Sequence, residues 1–236
     1  MLMSFEASLK NREKIALGLT ESHLSPVQSN GHQQLLHSDI LSDWQRLVTS
    51  AKDDNIDLCI ASGFRSFERQ QMIWNNKANG LRPVKDANNQ TINIASVTKA
   101  QLLKHILHWS ALPGASRHHW GTDIDVFAPS MLSQPLQLEP WEYEQDGPMA
   151  LLGQWLSENL TAHGFFLPYQ QYNGGVAREP WHISHMSQSE ELSNVLSLDL
   201  LQQTIANHDI GLKAEVLASL DNIYTQYITN IEKHSS

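Results

Sequence analysis

His118 and Asp125 stand seven positions apart in Ser116-Arg117-His118-His119-Trp120-Gly121-Thr122-Asp123-Ile124-Asp125, one on either side of Gly121. A turn followed by a strand would bring this imidazole and this carboxylate together. A second cluster, Glu179-Pro180-Trp181-His182, sets an acid three residues ahead of a histidine, and Pro180 bars a regular strand between them. The bend can turn both side chains inward. His118, Asp125 and His182 suit zinc, which accepts imidazole nitrogen and carboxylate oxygen and in catalytic sites leaves its fourth tetrahedral position to water. Glu179 is then free to act as a base. Yet 12 histidines and 25 acidic residues will produce such pairs by accident, so spacing alone does not decide.

Neighbouring residues have plainer readings. His119 would point to the opposite face from His118 in a regular strand, so it is kept off the metal. His105 and His108 lie three apart on a predicted helix without an acid or cysteine beside them and read as a solvated face. Trp109 reads as core. Asp123 and Asp125, two apart on a strand, share a face, so Asp123 either orients a ligand histidine or meets an amino group of a substrate.

The elements that must position these residues follow from periodicity. From Gln34 to about Asp53 the apolar residues recur at helical spacing, and Asp57 to Ser62 forms a short apolar run ending at Gly63, a buried strand. Ser66 is placed to cap a helix running to about Ala78, with Gly80 to stop it. A turn-rich loop spans Gly80 to Ala95, and Val97 to Leu112 returns to helical periodicity. Strands are expected over Gly121 to Val126, Phe165 to Tyr169 and Trp181 to Met186. A long loop covers Pro129 to Asp146, and helices cover Met149 to His163, Ser197 to Ala206 and Leu212 to Ile231. Cys59 lies in an apolar run and reads as packing.

With 16 basic against 25 acidic residues in 236, the formal charge is −9, which disfavours nucleic acid and acidic membranes as partners. The 41% hydrophobic and 17% charged fractions are those of a folded globular protein. No stretch approaches the roughly 18 apolar residues that span a bilayer. The first twenty residues lack an apolar h-region and a small-residue cleavage site, which predicts a cytoplasmic protein, although a periplasmic form with its leader removed would read the same. Nothing in the sequence sets an oligomeric state.

Three motifs together resemble those of VanY-like D-alanyl-D-alanine carboxypeptidases: SGFRS at 62–66 with Gln70, SRHHWGTDID at 116–125, and EPWH at 179–182. They stand in that family's order, over about Asp57 to Met186. The family belongs to the zinc peptidases that share a fold with lysostaphin and the hedgehog signalling domain. The resemblance implies an α+β fold: a small, mainly antiparallel sheet carrying the zinc, flanked by helices. Residues 1–190 are read as the peptidase domain and 191–236 as a helical extension packed on it.

The resemblance also implies that His118, Asp125 and His182 hold zinc, that Glu179 is general base and acid, and that Arg65 contacts substrate and neutralises the oxyanion. Gln70, Ser116 and Asp123 take substrate roles. The implied substrate is a peptidoglycan-derived peptide that loses a C-terminal D-alanine. An L,D-carboxypeptidase acting on tetrapeptide stems and a non-catalytic, metal-stabilised binding module are the alternatives. Asp123 stands where the family often has a small residue, and His185 where an aromatic is usual.

Overall fold

In the computed structural model, which describes residues 2–232, Asn30 and Gly31 both adopt positive φ, 48° and 75°. An Asn-Gly pair in this conformation closes a two-residue hairpin. After two short helices, α1 (Leu2–Ser8) and α2 (Asn11–Leu17), the turn pairs β1 (Leu24–Ser29) with β2 (His32–His37) in antiparallel register. The helix expected from Gln34 therefore begins later, as α3 (Leu41–Asp53). Leu35 and Leu36 fit a helical period, but the hairpin claims them. The Leu35 carbonyl accepts from the Phe64 amide at 3.0 Å, and the His37 amide donates to the Gly121 carbonyl at 2.8 Å. The hairpin thus braces two of the three segments that carry motif residues.

The second sheet contains β3 (Cys59–Ser62), β4 (Asp123–Phe127), β5 (Phe165–Phe166) and β6 (His182–His185), in the order β3-β4-β6-β5 and antiparallel throughout. β5 is shorter than expected because Pro168 cannot donate to the ladder. Alternation divides the sheet into two faces. Ile60, Ile124, Val126 and Ile183 are buried in a core with Trp44 and Leu47 of α3 and with Leu152 and Leu156 of α6 (Ala150–Asn159). Each such side chain contributes about 1.5–3 kcal/mol by leaving water. The opposite face carries Asp123, Asp125, His182 and Ser184, all buried.

A second core joins α2 to α4 (Phe67–Ala78), α5 (Lys99–Trp109), α7 (Met186–Ser193), α8 (Leu198–Asn207), α9 (Lys213–Ala218) and α10 (Leu220–Ile223), through residues such as Phe67, Trp74, Ile106, Leu201 and Ile223. Ser66 caps α4 by accepting from the Arg69 amide, and Thr98 caps α5 in a capping box with Gln101. The single helix expected over Leu212 to Ile231 is broken instead. Ser219 Oγ bonds back to the Glu215 carbonyl at 2.6 Å, which bends the axis, and Tyr224–Ile228 winds as a π-helical turn. Met1 and residues 233–236, at the ends of the two expected units, lie outside the described residues. Among those residues no helix is long and apolar enough to cross a membrane.

Candidate metal centre and cleft

β4 and β6 pair so that Asp125 lies directly opposite His182, with both side chains on the polar face. His118 comes from a single helical turn, Arg117–Trp120, which Gly121 ends at φ 67°. A side chain at Gly121 would press its Cβ to 2.9 Å from the His37 backbone nitrogen, so only glycine lets the turn pass the hairpin. One ligand atom from each of His118, Asp125 and His182 falls within 4.8 Å of the others. His118 Nε2 is 3.4 Å from Asp125 Oδ2, and His182 Nδ1 is 3.2 Å from Asp125 Oδ1. Asp125 Oδ1 and His182 Nδ1 are nevertheless buried without a hydrogen-bond partner. Orphaned polar atoms converging on one point fit a metal ion, and the nitrogen–nitrogen–oxygen set suits zinc.

The remaining ring nitrogens are occupied, which fixes each imidazole. His118 Nδ1 is 3.0 Å from the Gly63 carbonyl, and His182 Nε2 is 3.0 Å from Asp123 Oδ1. Asp123 in turn accepts from Arg117 Nε at 2.7 Å and from Thr122 Oγ1 at 2.8 Å. Arg117 also donates to Ser184 Oγ at 2.7 Å and lies over the Trp120 ring. Burial alone would raise the Asp123 carboxyl, but Arg117 and His182 hold it well below the usual range. Burial opposes charge on His182 as well, yet Asp123, Asp125 and Glu179 raise its pKa well above the ordinary value.

Two expected substrate contacts are therefore corrected. Asp123 is fully buried with both oxygens engaged, and it does not line the cleft; it orients His182. Gln70 is also fully buried, accepting from Arg65 Nη1 at 2.9 Å and donating to the Ala111 carbonyl at 2.7 Å, so it positions Arg65. We predict that Asp123→Asn weakens zinc binding about 10- to 100-fold. Because it leaves Arg117 buried without its partner, it also costs about 3–5 kcal/mol of stability. Competitive zinc titration and denaturant melts check the two effects separately.

Arg65, Ser116, Glu179 and the three candidate ligands all line one cleft of about 230 Å³. Glu179 Oε2 lies 3.3 Å from His182 Nδ1, and the His182 amide bonds to the Glu179 carbonyl at 3.0 Å, so the Pro180 bend holds acid and histidine together. Ser116 Oγ is buried without a partner. Arg65 is anchored by Gln70 and by Ser62 Oγ at 3.2 Å. Burial lowers its pKa, while Asp125 and Glu179 act to raise it. His119 clamps the Arg65 loop, with Nδ1 at 2.6 Å from the Arg65 carbonyl and Nε2 accepting from the Gly114 amide at 3.1 Å. Burial pushes this histidine down to about 3, so it stays neutral.

Other residues at the cleft escaped the sequence reading. Trp109, read as core, lines the cleft with Nε1 bonded to the Asp86 carbonyl. His108, read as solvated and not among the lining residues, is half-buried and packs its ring against Trp109 and Tyr172. Tyr169, which stacks edge-on to His182 at 5.1 Å, and Tyr227, from the C-terminal π turn, carry no local signal because only distant packing brings them there. Arg117 did carry one, as a basic residue inside a motif of otherwise inward-facing positions.

A cleft floor that gathers one histidine and one aspartate from an antiparallel sheet and a second histidine from the turn before it, with a carboxylate and a guanidinium beside them, suits metal-assisted hydrolysis. The family model described as VanY, D-alanyl-D-alanine carboxypeptidase, matches residues 33–188, and the chain belongs to that family. An uncharacterized protein of Haemophilus influenzae is 45% identical over 122 residues, covering 50% of this chain and 92% of that one. Among solved structures, VanYB in complex with D-alanine-D-alanine aligns with a TM-score of 0.50 at 25% identity, over 77% of this chain and 88% of that one. The LdcB LD-carboxypeptidase has the same fold, with a TM-score of 0.55 at 20% identity over 88% and 87% of the two chains.

Proposed function

We propose that this protein is a zinc-dependent D,D-carboxypeptidase that releases the C-terminal D-alanine of peptidoglycan-type peptides. The observation that carries the reading is Glu179, a carboxylate beside the candidate ligand atoms at the cleft wall and outside the three-residue ligand set. A structural metal needs neither this acid nor Arg65, which speaks for catalysis over a binding module. VanYB, whose structure holds D-alanine-D-alanine, supports the substrate class.

In this reading His118, Asp125 and His182 hold the ion. Bound zinc lowers the pKa of a water from about 15.7 toward about 7 and polarises the scissile carbonyl. Glu179 takes the proton of the attacking water and passes it to the leaving amine. Arg65, held by Gln70 and Ser62, faces the charge that develops on the carbonyl oxygen. Asp123 accepts the hydrogen bond of His182 Nε2, which leaves Nδ1 as the nitrogen that would hold the ion.

The reading is tested by D-alanine release from tripeptide, tetrapeptide and pentapeptide stems, with zinc present and after chelation. We expect release from the pentapeptide, lost on chelation and restored by zinc. Cleavage of the tetrapeptide alone would make the enzyme an L,D-carboxypeptidase, and cleavage of none would leave a binding module.

Arg65→Lys should stay folded while kcat/KM falls by about 10²- to 10³-fold, because a point ammonium does not reproduce the guanidinium's planar fork at an oxyanion. Near-normal kcat/KM in this variant would make Arg65 peripheral.

A further inference from the structure

A carboxypeptidase must recognise a carboxylate at the end of its substrate, and under the reading above Arg65 is committed to the carbonyl oxygen. The chain end then needs a second cation. Lys77, in the last turn of α4, is partly buried, and its Nζ donates to Ser110 Oγ at 2.5 Å. Among the described residues no carboxylate forms an ion pair with it, although Lys85 nearby is paired with Glu139. An ammonium drawn out of water without a counter-charge is costly. The carbonyl end of α4 offsets part of that cost. Burial, Arg82, Arg65 and Lys85 push its pKa down to about 8 against the pull of Glu179, so it remains mostly charged at neutral pH.

Ser110 lines the cleft together with Arg65 and Ser116. Its oxygen accepts from Lys77, which leaves its hydroxyl hydrogen to be donated, and no described residue takes it. A hydroxyl at the cleft with a proton to give, backed by an ammonium that no described carboxylate neutralises, describes one half of an anion site.

We propose that Ser110 and Lys77 receive the C-terminal carboxylate of the substrate, Ser110 by direct hydrogen bond and Lys77 by the charge behind it, which confines cleavage to the last residue. Lys77 acts through Ser110 and takes no part in bond breaking. The inference rests on the carboxypeptidase reading.

The test compares two N-acylated peptides ending in D-Ala-D-Ala, one with a free carboxylate and one with a C-terminal carboxamide, on the zinc-loaded full chain. In wild type we expect a preference for the carboxylate of roughly 10- to 100-fold in kcat/KM, the worth of a charge-assisted hydrogen bond. Lys77→Met should remove most of that preference through KM with little change in kcat, and Lys77→Arg should restore part of it. A purely structural lysine would lower both substrates alike and leave the ratio unchanged, which overturns the proposal. Ser110→Ala, which deletes only a hydroxyl, repeats the test without disturbing α4; an unchanged ratio there also overturns it. Wild type that cleaves neither peptide overturns the carboxypeptidase reading and this inference with it, a result distinct from full cleavage with an unchanged ratio.

Discussion

Glu179→Gln should bind zinc and melt as the wild type does, yet lose turnover by a factor near the upper end of about 10²–10⁴. The amide has the size of the carboxylate and still accepts a hydrogen bond from water, but its carbonyl is too weakly basic to take the proton. Because the same carboxylate is assigned both water activation and protonation of the leaving amine, one substitution disables two proton transfers. The fold should tolerate the change. Glu179 is held through its backbone, by its amide to the Tyr169 carbonyl at 3.0 Å and its carbonyl to the His182 amide at 3.0 Å. Its side chain approaches His182 Nδ1 without forming a hydrogen bond there. Zinc content, melting temperature and D-alanine release are to be measured side by side on both proteins. Loss of zinc would make Glu179 a ligand, and retained turnover would hand the base role to another acid. A binding module predicts no change in any of the three.

Replacing His118, Asp125 or His182 by alanine should take zinc from one ion per chain to none and abolish turnover, because three protein ligands are the fewest a catalytic zinc site uses. The three variants should differ in their other costs. His182→Ala strands Asp123, which loses one of its partners while keeping Arg117 and Thr122. His118→Ala frees the Gly63 carbonyl, next to the Arg65 loop. Asp125→Ala removes the carboxylate that faces both histidines and that helps to raise the pKa of His182. Metal analysis of the purified variants decides the ligand set, and any variant that keeps full zinc at normal affinity takes its residue out of it.

Local chemistry made much of this protein legible from sequence. The Ser66 cap, the turn at Gly121 and the kink at Pro180 are settled within a few residues, and they lie inside the motifs that marked the site. The Asn30-Gly31 turn was just as local, but the helical spacing of Leu35 and Leu36 masked it. The three residues that the structure gathers on one point were therefore singled out once the motifs were matched to the family's, which types and spacing alone did not achieve. How they are held was not readable.

The pairing of Asp125 with His182 joins strands 57 positions apart in the chain, and the Arg117–Asp123–His182 relay closes only once that register is set. The family resemblance implied substrate roles for Gln70 and Asp123, with orientation of a ligand histidine as the other reading of Asp123. The structure buries both, and a buried polar group must spend its hydrogen bonds on whatever the packing brings near it. Lys77 meets Ser110 across 33 positions, and Tyr227 reaches the cleft from the far end of the chain. Those partners are chosen by how the two cores press the helices and the sheet together, and a neighbour in space that is distant in sequence leaves no local trace.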